Sequence, residues 1–415
     1  MRKINTMVDN FLPTWIGLWV FLFGVSVLTF SALPVVILLF TIFYETISKR
    51  KNNIHFSLNR EEKVFIYLVL FWFFWQFFGV VYQPLDYEYE SIRMQFSAFD
   101  NASRWLLLLP IFFLLRRHIV DWRLMAVGMS IGVIISVGVA HYEVYYLNLG
   151  RAEGLSNHTI PFAELMVAAD LLLWMFMIHA WNNQQRILSY FLLIASIVAF
   201  YGSLLSVTRG AWLAYLFMLL IWLVYVIKQS FFDKKHLLSK PVLFRLLFAI
   251  IIFFSVSQTE QYQVLKSRTQ STIDNFSSSN YEGASSNRIH IFKDAITHAK
   301  QHPFGIGTRN FEKIDPNGYP FNAHNQILNV WVENGIQGVI SLVLLIMFLL
   351  RFFWKNLNHA NTIIGIYASS GLMLIVSYII FSQSHTIFDH HQTLIFFIFY
   401  LYFFFAQIQA LNRTN

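Results

Sequence analysis

The chain of 415 residues is 56% hydrophobic and 18% aromatic, with only 13% charged side chains. That balance excludes an ordinary soluble domain and marks a membrane protein. The formal net charge is +8 and there is no cysteine. No disulfide, thiolate metal site or thiol nucleophile can therefore exist.

Twelve apolar stretches approach the roughly 20 residues that a helix needs to cross a bilayer core. They lie near 13–30, 32–48, 63–81, 102–116, 123–147, 160–181, 187–206, 211–228, 242–257, 325–351, 362–382 and 392–410. Pro34 kinks or starts the second. No signal-peptide cleavage pattern precedes the first, so it is expected to be retained. The expected architecture is an all-α polytopic membrane protein of about 12 transmembrane helices. Residues 1–257 form helices 1–9, residues 258–323 a large helical outer loop, and residues 324–415 helices 10–12. With the N-terminus cytoplasmic, 19 of the 30 lysines and arginines fall on the inner links, including Lys49-Arg50-Lys51, Arg116-Arg117 and Lys234-Lys235, and four on the short outer loops. Basic residues favour the cytoplasmic side, so both termini are expected there. The positive charge then reads as anchoring to inner-face lipids, with no nucleic-acid partner implied.

Taken in order, the first chemistry-bearing stretch is the outer loop with Asp86, Glu88 and Glu90. Extended, it would turn three carboxylates to one face and suit a hard cation; a solvated acidic loop is the simpler reading. Next comes Gly150-Arg151-Ala152-Glu153-Gly154, whose glycines allow backbone N–H groups near an anion. Arg151 reads either as a phosphate or sugar contact or as an ordinary loop arginine. Glu164 and Asp170 lie inside segment 6, where ionisable groups face a cavity or a partner.

Ser206-Val207-Thr208-Arg209-Gly210-Ala211-Trp212 puts Arg209 at the outer boundary, where an arginine can also snorkel to headgroups. In the long loop, 277–286 is rich in Ser, Asn and Gly. From Asn287, Ile289, Phe292, Ile296 and Ala299 mark a helix capped by Ser285 or Ser286 and ended by Pro303. Arg288 lies in its first turn. His324 stands where this loop meets segment 10, above Leu328, Trp331, Gly335 and Gly338 at helical spacing; glycines there would let a neighbouring helix approach. A titratable ring at that boundary suits proton transfer. It could equally be an interfacial histidine facing water. The outer turn at 382–391 carries His385, Asp389, His390 and His391, in a spacing that matches no helix-based metal motif; surface polar contacts or acceptor binding rank above metal.

His324-Asn325, nine residues, then Gly335-Ile336-Gln337-Gly338 resembles the signature of the O-antigen ligase/polymerase superfamily. Ser206 to Trp212 resembles its second motif. Arg288 through Pro303-Phe304-Gly305-Ile306-Gly307-Thr308 to Phe311 resembles its third, with Phe292 where the family usually has Trp. The Gly150–His158 run is a partial match, since His158 replaces a proline displaced to Pro161. The resemblance implies a glycosyltransferase of the C type that moves a glycan from undecaprenyl diphosphate to an acceptor outside the inner membrane. It implies Arg209 and Arg288 on the diphosphate and His324 as general base, or as a group that orients the acceptor while the base lies elsewhere. Arg151 and Asn325 are further candidate substrate contacts. No cofactor and no metal are expected. The expected partners are the undecaprenyl-diphosphate-linked donor, a lipid A–core acceptor and membrane lipids, with the active site periplasmic. Ligase is the first expectation. A polysaccharide polymerase is the nearest competitor and a protein O-oligosaccharyltransferase a more distant one. A transporter would show inverted repeats and broken helices at the midplane, and no internal repeat is visible.

Overall fold

The computed structural model describes residues 2–29, 57–84, 88, 91–233, 240–256, 260–278, 288–314 and 322–414. The expected span at 32–48, the carboxylates Asp86 and Glu90, and most of the Ser/Asn/Gly-rich stretch with Ser285, Ser286 and Asn287 lie outside the described residues. Among the described residues all regular secondary structure is helical. Its α-helices, numbered as they occur, are α1 (Arg2–Thr29), α2 (Arg60–Val81), α3 (Ile92–Leu107), α4 (Leu109–Leu115), α5 (Trp122–Tyr145), α6 (Thr159–Asn182) and α7 (Arg186–Leu205). There follow α8 (Arg209–Asp233), α9 (Lys240–Val256), α10 (Glu260–Ser277), α11 (Arg288–Gln301), α12 (Gln326–Asn356), α13 (Thr362–Phe381) and α14 (His391–Thr414).

Eight helical stretches are long and apolar enough to cross a membrane, counting α3 and α4 as one. They match the expected segments 3–7 and 10–12. The expected segments 1, 8 and 9 are also helical, but their apolar helical stretches among the described residues, Ile16–Thr29, Arg209–Ile221 and Val242–Ile251, are shorter. The chain is thus an integral membrane protein with at least eight candidate spans. Pro110, in the first turn of α4, separates α3 from α4, since proline cannot continue the preceding helix's bonding.

Local sequence sets where helices begin. Asn59, Ser91, Asp121, Asn325 and Asn361 each accept a backbone N–H of the helix that follows. Such caps satisfy donors that the first turn leaves open. Close crossing of α1 and α5 depends on Gly128, where a Cβ would lie 2.4 Å from the carbonyl oxygen of Phe21.

Two helices are enclosed by protein: 94% of the apolar window of α6 is buried, and 100% of that of α14. A helix apolar on every side belongs inside a bundle. α14 is its aromatic spine: Phe399 stacks on Phe23 with ring centroids 3.9 Å apart, and tilted contacts join Phe405 to Phe352 at 4.2 Å and Phe397 to Tyr378 at 4.5 Å.

One face of the bundle is fastened by ions. Glu62, wholly buried, takes Arg116 at 2.6 and 2.8 Å and Arg413 at 2.6 Å. It also closes the capping box with Asn59. Arg116, read from sequence as part of an inner basic anchor, is therefore also half of a buried ion pair. Removing one partner of such a pair strands a charge and typically costs about 3–5 kcal/mol. Glu62→Ala, which strands two guanidiniums, should lower the thermal unfolding midpoint of the detergent-solubilised protein more than Arg413→Ala does; equal midpoints for the two variants would refute this.

Candidate functional site at the motif face

The opposite face gathers the loops 146–158 and 206–208, the segments around 302–314 and 322–325, and the turn 382–390. Arg209 is the first residue of α8 and Arg288 the first of α11. His324 lies two residues before α12. Electrostatics joins the three. Burial and then the charge of Arg209 push the Arg288 guanidinium below its usual range. Burial, then Arg288, then His385 push His324 down to about 4. His324 is therefore neutral at physiological pH. Its Nδ1 is buried with no hydrogen-bond partner in the protein, and its backbone is left-handed, with φ +48°. A non-glycine residue in that conformation is uncommon and recurs at functional sites.

The backbone around the ring is pinned from three sides. Its N–H donates to Oδ1 of Asn322 at 3.0 Å, that of Ala323 to Oδ1 of Asn329 at 3.1 Å, and that of Gln326 to the carbonyl of Ser382 at 2.9 Å. Asn325, expected as a substrate contact, instead has its Oδ1 on the N–H of Leu328 at 3.0 Å as the cap of α12. Arg151 donates through Nε to the carbonyl of Ser206 at 3.0 Å and through Nη2 to Thr208 at 3.2 Å. It braces the turn that presents Arg209.

Gly335 departs from the expected helical stripe. It adopts φ +70°, ψ −177°, and breaks α12. The gap is filled by the Pro303–Thr308 run. The N–H of Ile306 bonds Val332 O at 2.9 Å, that of Gly307 bonds Glu333 O at 3.0 Å, and that of Ile336 bonds Pro303 O at 3.3 Å. Gly305 and Gly307, with φ +87° and +100°, make that path possible. A loop, rather than a neighbouring helix, thus approaches the glycine. The sequence reading reserved broken helices for a transporter; this break is closed by the chain's own backbone. The buried side of α11 is also rotated from its expected stripe: Ile291, Ala295 and Ala299 face inward, while Phe292 is half-buried.

Sequence reasoning missed the turn's role. His385 is not a surface group but 3% exposed, and its Nδ1 lies 3.0 Å from Oε2 of Glu164. Its ring centroid is 4.7 Å from that of His390 and 6.5 Å from that of His158. The i,i+5 spacing of His385 and His390 carries no such signal, since the third ring, His158, comes from a loop more than 220 positions earlier. Asp170, the other carboxylate of segment 6, is buried against Arg245 and Tyr215, whose hydroxyl donates to it at 2.8 Å. It has a structural partner set away from the motifs. Of the acidic loop, Glu88 offers its carbonyl to Lys313. Among the described residues no group of three or more His, Asp or Glu side chains is arranged to hold a metal ion.

A family model described as O-Antigen ligase matches residues 192–343. The match supports membership of the O-antigen ligase/polymerase superfamily. The matched region contains Arg209, Arg288, His324 and Gly335 and stops before the 382–391 turn. A relative in Haemophilus influenzae, described as an uncharacterized protein, is 23% identical over 406 residues, covering 94% of this chain and 97% of its own.

The superfamily's glycine at 335 can be tested directly. A Cβ there would lie 2.4 Å from Pro303 O, and the backbone region is essentially glycine-only, costing of order 1–3 kcal/mol for other residues. Gly335→Ala should lower both stability and activity. Gly150→Ala, where a Cβ meets nothing within 4 Å, should change stability by no more than about 0.5 kcal/mol. Equal melting curves for the two variants would contradict the assignment.

Proposed function

We propose that the chain is a glycosyltransferase of the C type in the inner membrane. It transfers a glycan from undecaprenyl diphosphate to a sugar hydroxyl of lipid A–core at the periplasmic face, with both of its termini cytoplasmic. The observation that carries this reading is the placement of Arg209, Arg288 and His324 at one face, where the charge of Arg209 acts on Arg288 and that of Arg288 on His324. Like charges brought together cost energy, and a doubly charged diphosphate between them returns it. Guanidinium forks match phosphate oxygens in a way that an ammonium does not. Arg151 is assigned to bracing this clamp, and Asn325 to capping the helix behind the base.

Breaking the C1–phosphate bond needs no external energy source, because diphosphate is a good leaving group. The clamp neutralises the charge that builds on it. His324 takes the proton of the attacking hydroxyl, and the displacement inverts C1. Two guanidiniums here do the work that a divalent cation does elsewhere, so the reaction proceeds without metal.

General-base help is worth about 10²–10⁴ in rate. His324→Ala and His324→Asn should lose transfer by that factor while still binding the donor. Asparagine tolerates the left-handed backbone, so turnover near wild type in that variant would remove His324 from the chemistry. Arg209→Lys should fail if bidentate geometry matters.

In the free protein His324 is deprotonated above about pH 4. kcat/KM should therefore show no acid limb from this group between roughly pH 5.5 and 8. With the diphosphate bound, its negative charge offsets Arg288, so the acid limb of kcat should lie at higher pH than that of kcat/KM. Coincident limbs would argue against a donor lying beside Arg288. Lipopolysaccharide from a deletion strain discriminates the acceptors. Free lipid A–core with long carrier-linked glycan supports a ligase, core bearing one repeat a polymerase, and unchanged lipopolysaccharide with a lost glycoprotein a protein transferase.

A further inference from the structure

The turn 382–390 is wedged between two motif elements. Ser384 touches the Arg209 side: a Cβ on Gly210 would lie 2.9 Å from its Oγ. On the other side Ser382 accepts from the N–H of Gln326, and Oε1 of Gln326 accepts from the N–H of Phe388 at 2.9 Å. His385 is held between these contacts, on a turn bonded to the residue two positions after His324, and its charge acts on His324. Its partner Glu164 is 2% exposed and comes from the second turn of α6. An ionised Glu164 accepts this bond from an Nδ1–H of His385, and in a neutral ring that tautomer leaves Nε2 as the acceptor nitrogen. An imidazole oriented in this way by a carboxylate is a competent proton acceptor.

The neighbouring rings do not compete for that proton. Burial, then His385, then His158 push His390 down to about 3. Burial first, and then His385, push His158 down as well, and its Nδ1 already accepts the N–H of Ile160. Of these three rings, His385 is the one bonded to a carboxylate. The other titratable or charged groups around it are His324 with Arg288 behind it, Arg209 beside Ser384, Asp389 on its own turn, Tyr378 of α13 near Glu164, and Glu153 and Arg151 ahead of α6.

We propose that Glu164 and His385 form a second, carboxylate-oriented imidazole beside His324, and that this pair receives the proton His324 takes from the acceptor hydroxyl. The proposal rests on the transfer reaction above. The hydroxyl O–H bond breaks as its oxygen bonds C1, and the C1–O bond to phosphate breaks with its electron pair leaving on the diphosphate. The proton goes to His324 and then to Nε2 of His385, where the imidazolium is paired with Glu164. The relay answers a specific difficulty: an imidazolium at His324 would stand next to Arg288, a poor place to leave a charge. Glu164 acts through His385 and is a positioning residue.

The full-length protein in proteoliposomes, with a polyprenyl-diphosphate-linked oligosaccharide and lipid A–core, provides the test. Glu164→Gln and His385→Gln should each lower kcat at pH 6.5 by 10-fold or more with the donor KM within twofold of wild type. The defect should shrink toward wild type by pH 9, where bulk base takes the proton, and Glu164→Asp should recover part of the turnover at pH 6.5. Turnover within twofold of wild type throughout, or a defect of equal size at pH 6.5 and pH 9, overturns the proposal. Should the glutamine variants fail to fold, His385→Asn and Glu164→Asp are compared over the same range. A pH-independent loss in both then overturns it. Absence of transfer by the wild-type protein would overturn the enzymatic reading itself, whereas active wild type with unaffected variants removes the relay alone.

Discussion

The break in α12 is the constraint from which the rest of the motif face follows. At Gly335 the helix gives up its own bonding, and the Pro303–Thr308 segment supplies N–H groups to Val332 and Glu333 and a carbonyl to Ile336. Backbone groups inside a membrane protein must find partners, so such an exchange is obligatory once the helix opens. Its effect is to tie α11, which starts at Arg288, to the helix that starts just after His324. Two residues 36 positions apart are held in one electrostatic neighbourhood by a backbone seam rather than by contact between their side chains. The same segment continues to Thr308, whose N–H bonds Gly79 O at 2.9 Å, so α2 is drawn into the arrangement as well.

The two faces of the bundle use polar groups in opposite ways. At the Glu62 face, charges are matched: one carboxylate, two guanidiniums, short bonds and little exposure. At the motif face the pairing is incomplete: His385 meets Glu164, but the charge of Arg209 acts on Arg288, and Nδ1 of His324 is buried without a hydrogen-bond partner. Matched charges fasten helices. On the proposed function, the cations and the open imidazole nitrogen of the motif face are what an anion and a proton donor would meet.

Much of this was legible in the sequence. Hydropathy located every long span that the structure describes, because spanning length and backbone satisfaction leave few alternatives. Arg209, Arg288 and His324 were legible as motif residues, and their convergence at one face followed from helix alternation. The role of Gly335 was not, since a glycine at helical spacing looks the same whether it packs a helix or breaks one. The capping role of Asn325 was not legible, because a capping asparagine carries the same side chain as a binding one. His385 was hidden more deeply. Its carboxylate lies 221 positions away, and no local pattern announces a pairing that only tertiary packing creates. The inward face of α11 was only partly legible: Ala299 is buried as expected, but Ile291 and Ala295 join it there, while Ile289, Phe292 and Ile296 are half-buried.

The enclosure of α14 has a consequence for biogenesis. Its aromatic rings are surrounded by other helices rather than by acyl chains, although its composition would be equally content in lipid. Ribosomal order makes it later than α1 to α13, yet it occupies their centre. The rings it packs against, such as Phe23 and Phe352, are synthesised before it and can make these contacts only once α14 has joined them.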